Sequence, residues 1–311
     1  MKSPVAFIIF KRPDTTEKVF EAIRQAKPQK LFVIADGPRT NRPGEVEKCE
    51  ATRAIIKRVD WDCELITNYS DINLGCSKRI SSGINWVFEQ VEEAIILEDD
   101  CVPNPTFFPF CEELLDKYRY DSRVASISGQ NVQFGRKRTN YSYYFSRYNH
   151  CWGWATWRRA WQDFDIYMKK WPEIQTGGFL NDILLDPKAV DYWNRKLQWV
   201  YENPLGTVWS YQWTFASWIQ NRLGIISNLN LISNIGFNPD STNINFNQKS
   251  PHDNIPTEAL EFPLKHPPFV FRDIQADNFT QSTLFQETQW QVFKQEVKKK
   301  LKKLATTSSG K

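Results

Sequence analysis

The sequence predicts an α/β fold with a largely parallel sheet, and two patterns in the first 130 residues indicate it. Short apolar runs alternate with stretches of helical periodicity, which is typical of strand–helix–strand units. The run at residues 94–97 is apolar at every position, as expected for a central strand that is covered on both faces. The first half of the chain is therefore expected to form a helix-covered sheet.

The first strand is predicted at residues 5–10, which are all apolar. Asp14 and Glu17 fit a capping box at the start of the helix that follows. The later predicted elements are a strand at residues 31–35, a helix at 45–59, a strand at 64–68, a helix around 80–91 and a strand at 94–97.

Polar residues follow three of these strands where each strand ends. Arg12 comes just after the first strand, Asp36 follows the second, and three carboxylates follow the fourth. This acidic triplet consists of Glu98, Asp99 and Asp100. Because parallel α/β sheets bind ligands at the carboxyl ends of their strands, the sequence predicts a ligand site at this edge.

Two interpretations of the acidic triplet follow from the residues alone. Adjacent carboxylates repel one another, so a positive partner such as Mg²⁺ or Mn²⁺ is expected among them. Alternatively, the triplet only begins a turn and caps the next helix, since acidic residues favour both positions. The local composition does not separate these interpretations.

The sequence around the triplet resembles a known enzyme family. Residues 94–110, AIILEDDCVPNPTFFPF, closely resemble the Glu-Asp-Asp strand-end motif of N-acetylglucosaminyltransferase I and its bacterial relatives in the GT-A superfamily. The opening PVAFIIFKRPDTTEKVFEAI and the later LFVIADGPR are similar to the first nucleotide-binding unit of those enzymes. Further matches are Asn73-Leu74-Gly75, Gly153-Trp154-Ala155-Thr156, residues 209–213 and residues 228–237.

The resemblance covers roughly residues 4–275 and implies a GT-A type, Rossmann-like mixed sheet flanked by helices. It implies one glycosyltransferase domain over residues 1–275, with a nucleotide-binding half at about 1–130 and an acceptor-binding half at about 131–275 on one sheet. Residues 276–311 would form a C-terminal extension. The implied activity is metal-dependent, inverting transfer of a sugar from a nucleoside diphosphate, with UDP as the implied nucleotide, to an acceptor hydroxyl.

The resemblance also implies residue roles. Asp100 is expected to hold Mn²⁺ or Mg²⁺, and Glu98 and Asp99 are expected to face the ribose or the donor sugar. Asp36 is expected to contact the edge of the base. The basic residues expected near the nucleotide and its phosphates are Arg12 and either Lys78 or Arg79, although Lys78 and Arg79 could equally be solvated surface charges.

One position departs from the family pattern. The relatives carry an acidic base directly after a tryptophan, and here Ser210 follows Trp209. A neutral hydroxyl is a poor base near pH 7 without an activating partner. Three explanations remain open: another carboxylate acts, the enzyme is weakened or inactive, or this short segment aligns differently. The candidate carboxylates are Asp240, Asp182 and Asp186.

The polar stretch at residues 238–254 is predicted to be a functional loop. Ser241 and Thr242 are expected to hydrogen-bond the diphosphate. Asn243 stands where many relatives carry a histidine, so the metal affinity is expected to be lower.

Ten of the thirteen tryptophans fall between Trp152 and Trp218, a density suited to sugar contacts or to an aromatic core. Trp154, Trp157 and Trp161 recur at helical spacing, which favours core packing. Trp152 and Trp209 lie beside predicted loops and are better candidates for contact with donor or acceptor.

Composition and charge limit which partners and which cellular compartment are expected. A net charge of +4 gives no reason to expect a nucleic-acid partner, and no apolar run approaches the roughly twenty residues of a membrane span. The six cysteines lack zinc-like spacing and are expected to be reduced in a cytoplasmic protein. From Trp290 onwards a basic amphipathic helix is predicted, which either packs on the domain or binds anionic lipid at the inner face of the membrane.

The expected partners are therefore a nucleotide-sugar donor and a glycan, lipid-linked or other hydroxyl acceptor. A second hypothesis is a non-catalytic nucleotide-sugar or glycan-binding protein, which Ser210 and Asn243 make credible. A nucleotidyltransferase is disfavoured, because no glycine-rich basic loop follows the first strand to hold a triphosphate.

Overall fold

The computed structural model describes residues 1–206, 208–237 and 253–285. Its strands are β1 (Val5–Ile9), β2 (Lys30–Ala35), β3 (Glu64–Tyr69), β4 (Glu93–Glu98), β5 (Cys101–Pro103), β6 (Val124–Ser128), β7 (Tyr143–Ser146), β8 (Trp154–Trp157), β9 (Leu223–Ser227) and β10 (Ile232–Asn234). Its helices are α1 (Pro13–Ala26), α2 (Glu45–Ile56), α3 (Cys76–Phe88), α4 (Phe107–Lys117), α5 (Arg158–Trp161), α6 (Trp171–Thr176), α7 (Leu180–Leu184), α8 (Pro187–Glu202), α9 (Ser210–Ile219) and α10 (Ile274–Leu284).

Eight strands form one mixed sheet in the order β3-β2-β1-β4-β8-β6-β9-β7. The first four are parallel, β8 is antiparallel to both β4 and β6, and β7 is antiparallel to β9. A separate two-stranded sheet pairs β5 with β10. The predicted α/β class, with both halves of the chain sharing one mixed sheet flanked by helices, is confirmed.

The sheet is covered on both faces, which explains why its central strands are apolar throughout. In β1, Val5, Phe7 and Ile9 pack into one buried cluster with residues of α1 and α4. The alternate residues Ala6 and Ile8 pack into a second cluster with residues of α3 and α9. Because side chains alternate across a strand, both faces of β1 need apolar residues. This arrangement leaves only the strand ends free for polar chemistry.

Two local predictions were wrong. The capping box at Asp14 does not form, because α1 begins at Pro13 with Arg12 at the N-cap and without a side-chain cap. Proline suits a first helical position, since its missing N–H is not needed there. Trp154 and Trp157 lie in strand β8 and not in a helix, and only Trp161 falls in the short α5. All three are buried, so the predicted core packing is confirmed.

Helix α10 packs on the sheet and crosses the predicted boundary at residue 275. Ser146 Oγ donates a hydrogen bond to the buried carboxylate of Asp277 at 2.6 Å. Tyr148 Oη donates to Gln281 Oε1, also at 2.6 Å. The described chain through residue 285 therefore belongs to the same body, and the predicted basic helix from Trp290 lies outside the described residues.

The six cysteines all lie in the described ranges, and no disulfide bond joins any two of them. Among the described helices, none combines the length and the apolar character that crossing a bilayer requires.

Candidate active site

A cleft of about 310 Å³ opens at the carboxyl edge of the parallel strands, where a ligand site was predicted. The cleft is lined by segments that follow β1, β2 and β4 and by the first residues of α3 and α9. The lining residues with polar or aromatic side chains are Phe10, Arg12, Asp36, Arg39, Asn73, Cys76, Arg79, Glu98, Asp99, Asp100, Cys151, Trp152, Trp209, Ser210 and Asn234. Both halves of the chain therefore build the cleft.

Arg12 holds two members of the acidic triplet. Its Nη2 donates to Asp99 Oδ1 at 2.9 Å and to Asp100 Oδ2 at 2.9 Å. Asp99 Oδ2 also accepts a hydrogen bond from the backbone N–H of Phe10 at 3.1 Å. The end of β1 thus supplies an internal cation to the end of β4.

One guanidinium does not neutralise three carboxyl groups. Desolvation, together with the charges of Asp100 and Asp99, raises the pKa of Glu98 to about 8. Desolvation also raises the pKa of Asp99, although Arg12 opposes this shift. Further positive charge in the cleft would therefore stabilise the ionised forms of these carboxyl groups.

The backbone of Gly236 closes over Asp100 from the other side. A Cβ added at Gly236 would lie 2.0 Å from Asp100 Oδ2 and 2.8 Å from Arg12 Nη1. Ile235 N–H, one residue earlier, donates to the backbone oxygen of Asp100 at 2.9 Å. Only glycine leaves the Asp100 carboxylate in this position.

The triplet fits a cation that is shared with a ligand. Among the residues that the structure describes, no three His, Cys, Asp or Glu side chains converge to hold a metal by themselves. Magnesium sites in phosphate-binding proteins use one or two carboxylates and take their other ligands from water and phosphate. Asp100, which lines the cleft and is 14% exposed, offers that kind of ligand.

Asp36 is fixed by the protein itself. Its Oδ1 accepts hydrogen bonds from the N–H groups of Gly37 and Leu74, at 3.0 and 2.8 Å. Its Oδ2 accepts from Gly75 N–H and Asn73 Nδ2, both at 3.1 Å. A carboxylate has about four acceptor positions, so Asp36 has none left for a base. It orders residues 73–75, and these bonds leave it no acceptor position for the predicted contact with the base.

The two basic residues of α3 lie in different surroundings. Lys78 is exposed and lies outside the cleft lining. Arg79 lines the cleft, but its guanidinium is buried and donates to Ala35 O at 3.1 Å and to Asn68 Oδ1 at 2.8 Å. Arg79 joins the ends of β2 and β3, so its role in this structure is to fix these strand ends.

Arg39 is a cleft residue that the sequence did not single out. Its Nε donates to Glu45 Oε1 at 2.9 Å, and its guanidinium carbon lies 5.8 Å from the Phe10 ring centroid. Burial would raise the pKa of Glu45, but hydrogen bonds from Arg39 and Lys11 outweigh it and lower the pKa to about 2. The sequence signals for Arg39 were its position three residues after Asp36 at a strand end and its place at the end of the LFVIADGPR segment.

The second half of the chain supplies an aromatic wall. Trp209 is buried against Trp154 and Trp161, with ring centroids 5.6 and 6.1 Å apart, and Trp152 is half-buried. The Trp152 ring meets Phe237 edge to face at 5.8 Å. Both predicted contact tryptophans line the cleft, and Trp152 is the more accessible of the two.

Ser210 is the first residue of α9 and lines the cleft. Two alternative carboxylates lie elsewhere: Asp182 is exposed in α7, and Asp186 caps α8 by accepting a hydrogen bond from Lys188 N–H at 3.1 Å. Neither belongs to the cleft lining. Asp240, Ser241, Thr242 and Asn243 lie outside the described residues.

No protein-family model and no curated protein matches the chain. Three solved structures are similar in part of their fold. UDP-glucose pyrophosphorylase with UDP-glucose is 13% identical with a TM-score of 0.28, over 48% of this chain and 64% of that chain, which is less than two thirds of it. The 4-diphosphocytidyl-2C-methyl-D-erythritol synthase of Anaerococcus prevotii is 10% identical with a TM-score of 0.33, and the match covers 54% of this chain and 76% of that chain. Galactosyltransferase LgtC with donor and acceptor sugar analogs is 10% identical with a TM-score of 0.36, and the match covers 69% of this chain and 70% of that chain.

TM-scores this low carry no information about the site. The architecture itself, an eight-stranded mixed sheet flanked by helices, is consistent with a GT-A Rossmann-like fold.

Proposed function

We propose that the protein is an inverting glycosyltransferase that moves a sugar from a nucleoside diphosphate donor, a UDP-sugar, to an acceptor hydroxyl. The observation that carries this proposal is the acidic triplet, which opens onto a cleft that both halves of the chain build and has Arg12 as its ion-pair partner. Excess negative charge at a strand edge disfavours a bare phosphate. It suits a phosphate that arrives with a divalent cation.

Asp100 would hold that cation, Mn²⁺ or Mg²⁺. When bound, the metal offsets the negative charge that develops on the departing diphosphate. Arg12, next to Asp100, can donate to the same diphosphate from the end of β1. Glu98 and Asp99 line the cleft beside Asp100 and would contact the donor sugar or the ribose.

Transfer also requires a positioned acceptor and a base. Trp152 and Trp209 give the second half of the cleft an aromatic surface that suits the apolar face of a sugar. We propose that the acceptor proton leaves near Ser210, and Asp240 stays a candidate base. Lipid-linked acceptors and peripheral membrane contact through the C-terminal helix also stay proposals.

One observation favours a second candidate, a nucleotide-sugar-binding protein without transferase activity. Of the described residues that line the cleft, the carboxylates are Asp36, Glu98, Asp99 and Asp100, all from the first half of the chain. The acceptor half contributes the neutral Ser210 where a base is needed.

A thermal-shift screen of nucleotide sugars with and without Mn²⁺ tests the proposal. The true donor should raise the melting temperature increasingly with concentration, and more so with Mn²⁺. Asp100→Ala should remove the Mn²⁺-dependent part, whereas the matched Asp182→Ala, exposed and outside the cleft, should not. Release of nucleoside diphosphate on addition of acceptor then separates the transferase from the binding protein. A metal effect that survives Asp100→Ala would refute the metal assignment.

A further inference from the structure

We propose that Asn73 determines the base specificity of the cleft, with its side-chain oxygen accepting a hydrogen bond from the ring N–H of uracil. The inference rests on the proposed function only in taking a nucleoside diphosphate as the ligand. It assigns to Asn73 the role that the acidic Asp36 cannot fill, because the acceptor positions of Asp36 are taken by the protein.

The orientation of the Asn73 amide follows from its partners. Its nitrogen lies 2.9 Å from the backbone oxygen of Gly37 and 3.1 Å from Oδ2 of Asp36. A backbone carbonyl can only accept, so the amide group that faces it must be the NH₂. Both hydrogens of that NH₂ are then used within the protein. Asn73 lines the cleft, and its oxygen is the amide atom left to a ligand.

The surroundings hold this amide in place. A Cβ at Gly37 would lie 2.5 Å from the backbone of Ile72, so the two segments touch without an intervening side chain. Arg53 Nη2 donates to the backbone oxygens of Asp36 and Ser70, at 3.1 and 2.7 Å. These contacts join the chain after β2 to the chain after β3. An acceptor fixed in this way discriminates better than one on a mobile loop, because no ordering is needed on binding.

A fixed acceptor discriminates bases by their ring nitrogen. Uracil presents an N–H at ring position 3, which an amide oxygen accepts. Cytosine in the same position turns a nitrogen lone pair towards that oxygen, so two acceptors would face each other. A site that hydrogen-bonds a ligand N–H rejects analogues that lack it more strongly than an apolar pocket rejects a change in size.

The test compares UDP with N3-methyl-UDP, in which a methyl group replaces the hydrogen of the ring N–H, by isothermal titration of the wild-type protein. UDP should bind at least about tenfold more tightly, because it donates one directed hydrogen bond to the Asn73 oxygen. N3-methyl-UDP leaves that oxygen without a donor. Asn73→Ala should abolish the preference by weakening UDP alone. Mere loosening of residues 72–75 would weaken both ligands together. The matched control is Lys78→Ala, which is exposed in the adjacent helix turn and should keep the preference.

The outcomes separate this inference from the proposed function. Equal binding of UDP and N3-methyl-UDP by the wild-type protein would overturn the role of Asn73 and leave the transferase proposal standing. A preference for UDP over N3-methyl-UDP that survives Asn73→Ala would also overturn the role of Asn73. If no nucleoside diphosphate binds the wild-type protein, the proposed function fails with it.

Discussion

Arg12 Nη2 donates a hydrogen bond at 2.9 Å to Asp100 Oδ2, an oxygen of the carboxylate that we propose as the metal ligand. A divalent cation bound to Asp100 would therefore compete with this guanidinium for the same carboxylate. Two cations so close to each other repel, and the repulsion is stronger inside a cleft than in bulk water. The bound diphosphate can relieve it by taking Arg12 as a partner.

Arg12→Gln should consequently tighten Mn²⁺ binding to the protein without nucleotide, by about tenfold or more, since a charged hydrogen bond to the ligand oxygen is lost. Electron paramagnetic resonance of free Mn²⁺ measures this affinity directly. Arg39→Gln is the matched control, because it removes the same charge from the same cleft but from a side chain paired with Glu45. An Arg12→Gln protein that binds Mn²⁺ no better than the control would contradict the competition.

Gly236→Ala should displace the Asp100 carboxylate, because the added Cβ would lie 2.0 Å from Oδ2. We expect the fold to be retained and the Mn²⁺-dependent thermal shift with donor to be lost. Ser233→Ala, in strand β10 just before Gly236, should leave that shift intact. A normal metal-dependent shift in Gly236→Ala would show that Asp100 does not hold the cation.

Glu98 should make folding stability fall as the pH rises. Its pKa is raised to about 8 in the folded protein, above the ordinary carboxyl value of 4.5, so the folded state binds more protons than the unfolded state between these values. The contribution of Glu98 to the free energy of unfolding is then full below pH 4.5 and is lost as the pH rises through 8. Glu98→Gln should flatten this dependence in denaturant titrations at pH 5 to 9, and Asp182→Asn should not. If the stability of Glu98→Gln falls equally steeply with pH, the decline does not come from Glu98.

Two neighbouring tryptophans should behave differently when truncated. Trp154→Ala should lower the free energy of unfolding by about 3–5 kcal/mol, since it empties a buried site lined by Trp161, Trp209 and Trp213. Trp152→Ala should cost less, about 1–2 kcal/mol, because the ring is only half-buried, yet it should weaken donor or acceptor binding. Chemical denaturation and titration of the same proteins measure both effects. The reverse order of stability losses would contradict the assigned packing.

Much of the first half could be predicted from the sequence because each strand there is a local apolar run. The predicted strand at residues 31–35 lies within β2, and the one at 94–97 lies within β4. The second half was harder. The spacing of Trp154, Trp157 and Trp161 fits a helix, but pairing of β8 between β4 and β6 made it a strand, with Trp154 and Trp157 on opposite faces. Such pairing depends on long-range contacts that local periodicity does not contain.

The residues that meet at the candidate site were predicted, but the hydrogen bonds between them were not. The convergence of Arg12, Asp36 and the acidic triplet follows from strand ends alone, and the structure brings all of them to one cleft. The pairing of Arg12 with Asp100 was not predictable, because it depends on side-chain geometry across two strands. Nor was it predictable that the backbone N–H groups of residues 74 and 75 donate to both oxygens of Asp36.

The most direct measurement is the anomalous diffraction of manganese in a crystal of the protein soaked with Mn²⁺ and the nucleotide sugar that gives the largest thermal shift. The proposal predicts a manganese peak in direct contact with the Asp100 carboxylate and with the diphosphate, and a nucleoside lying against Asn73. A donor bound elsewhere, or bound in this cleft with its manganese away from Asp100, would contradict it.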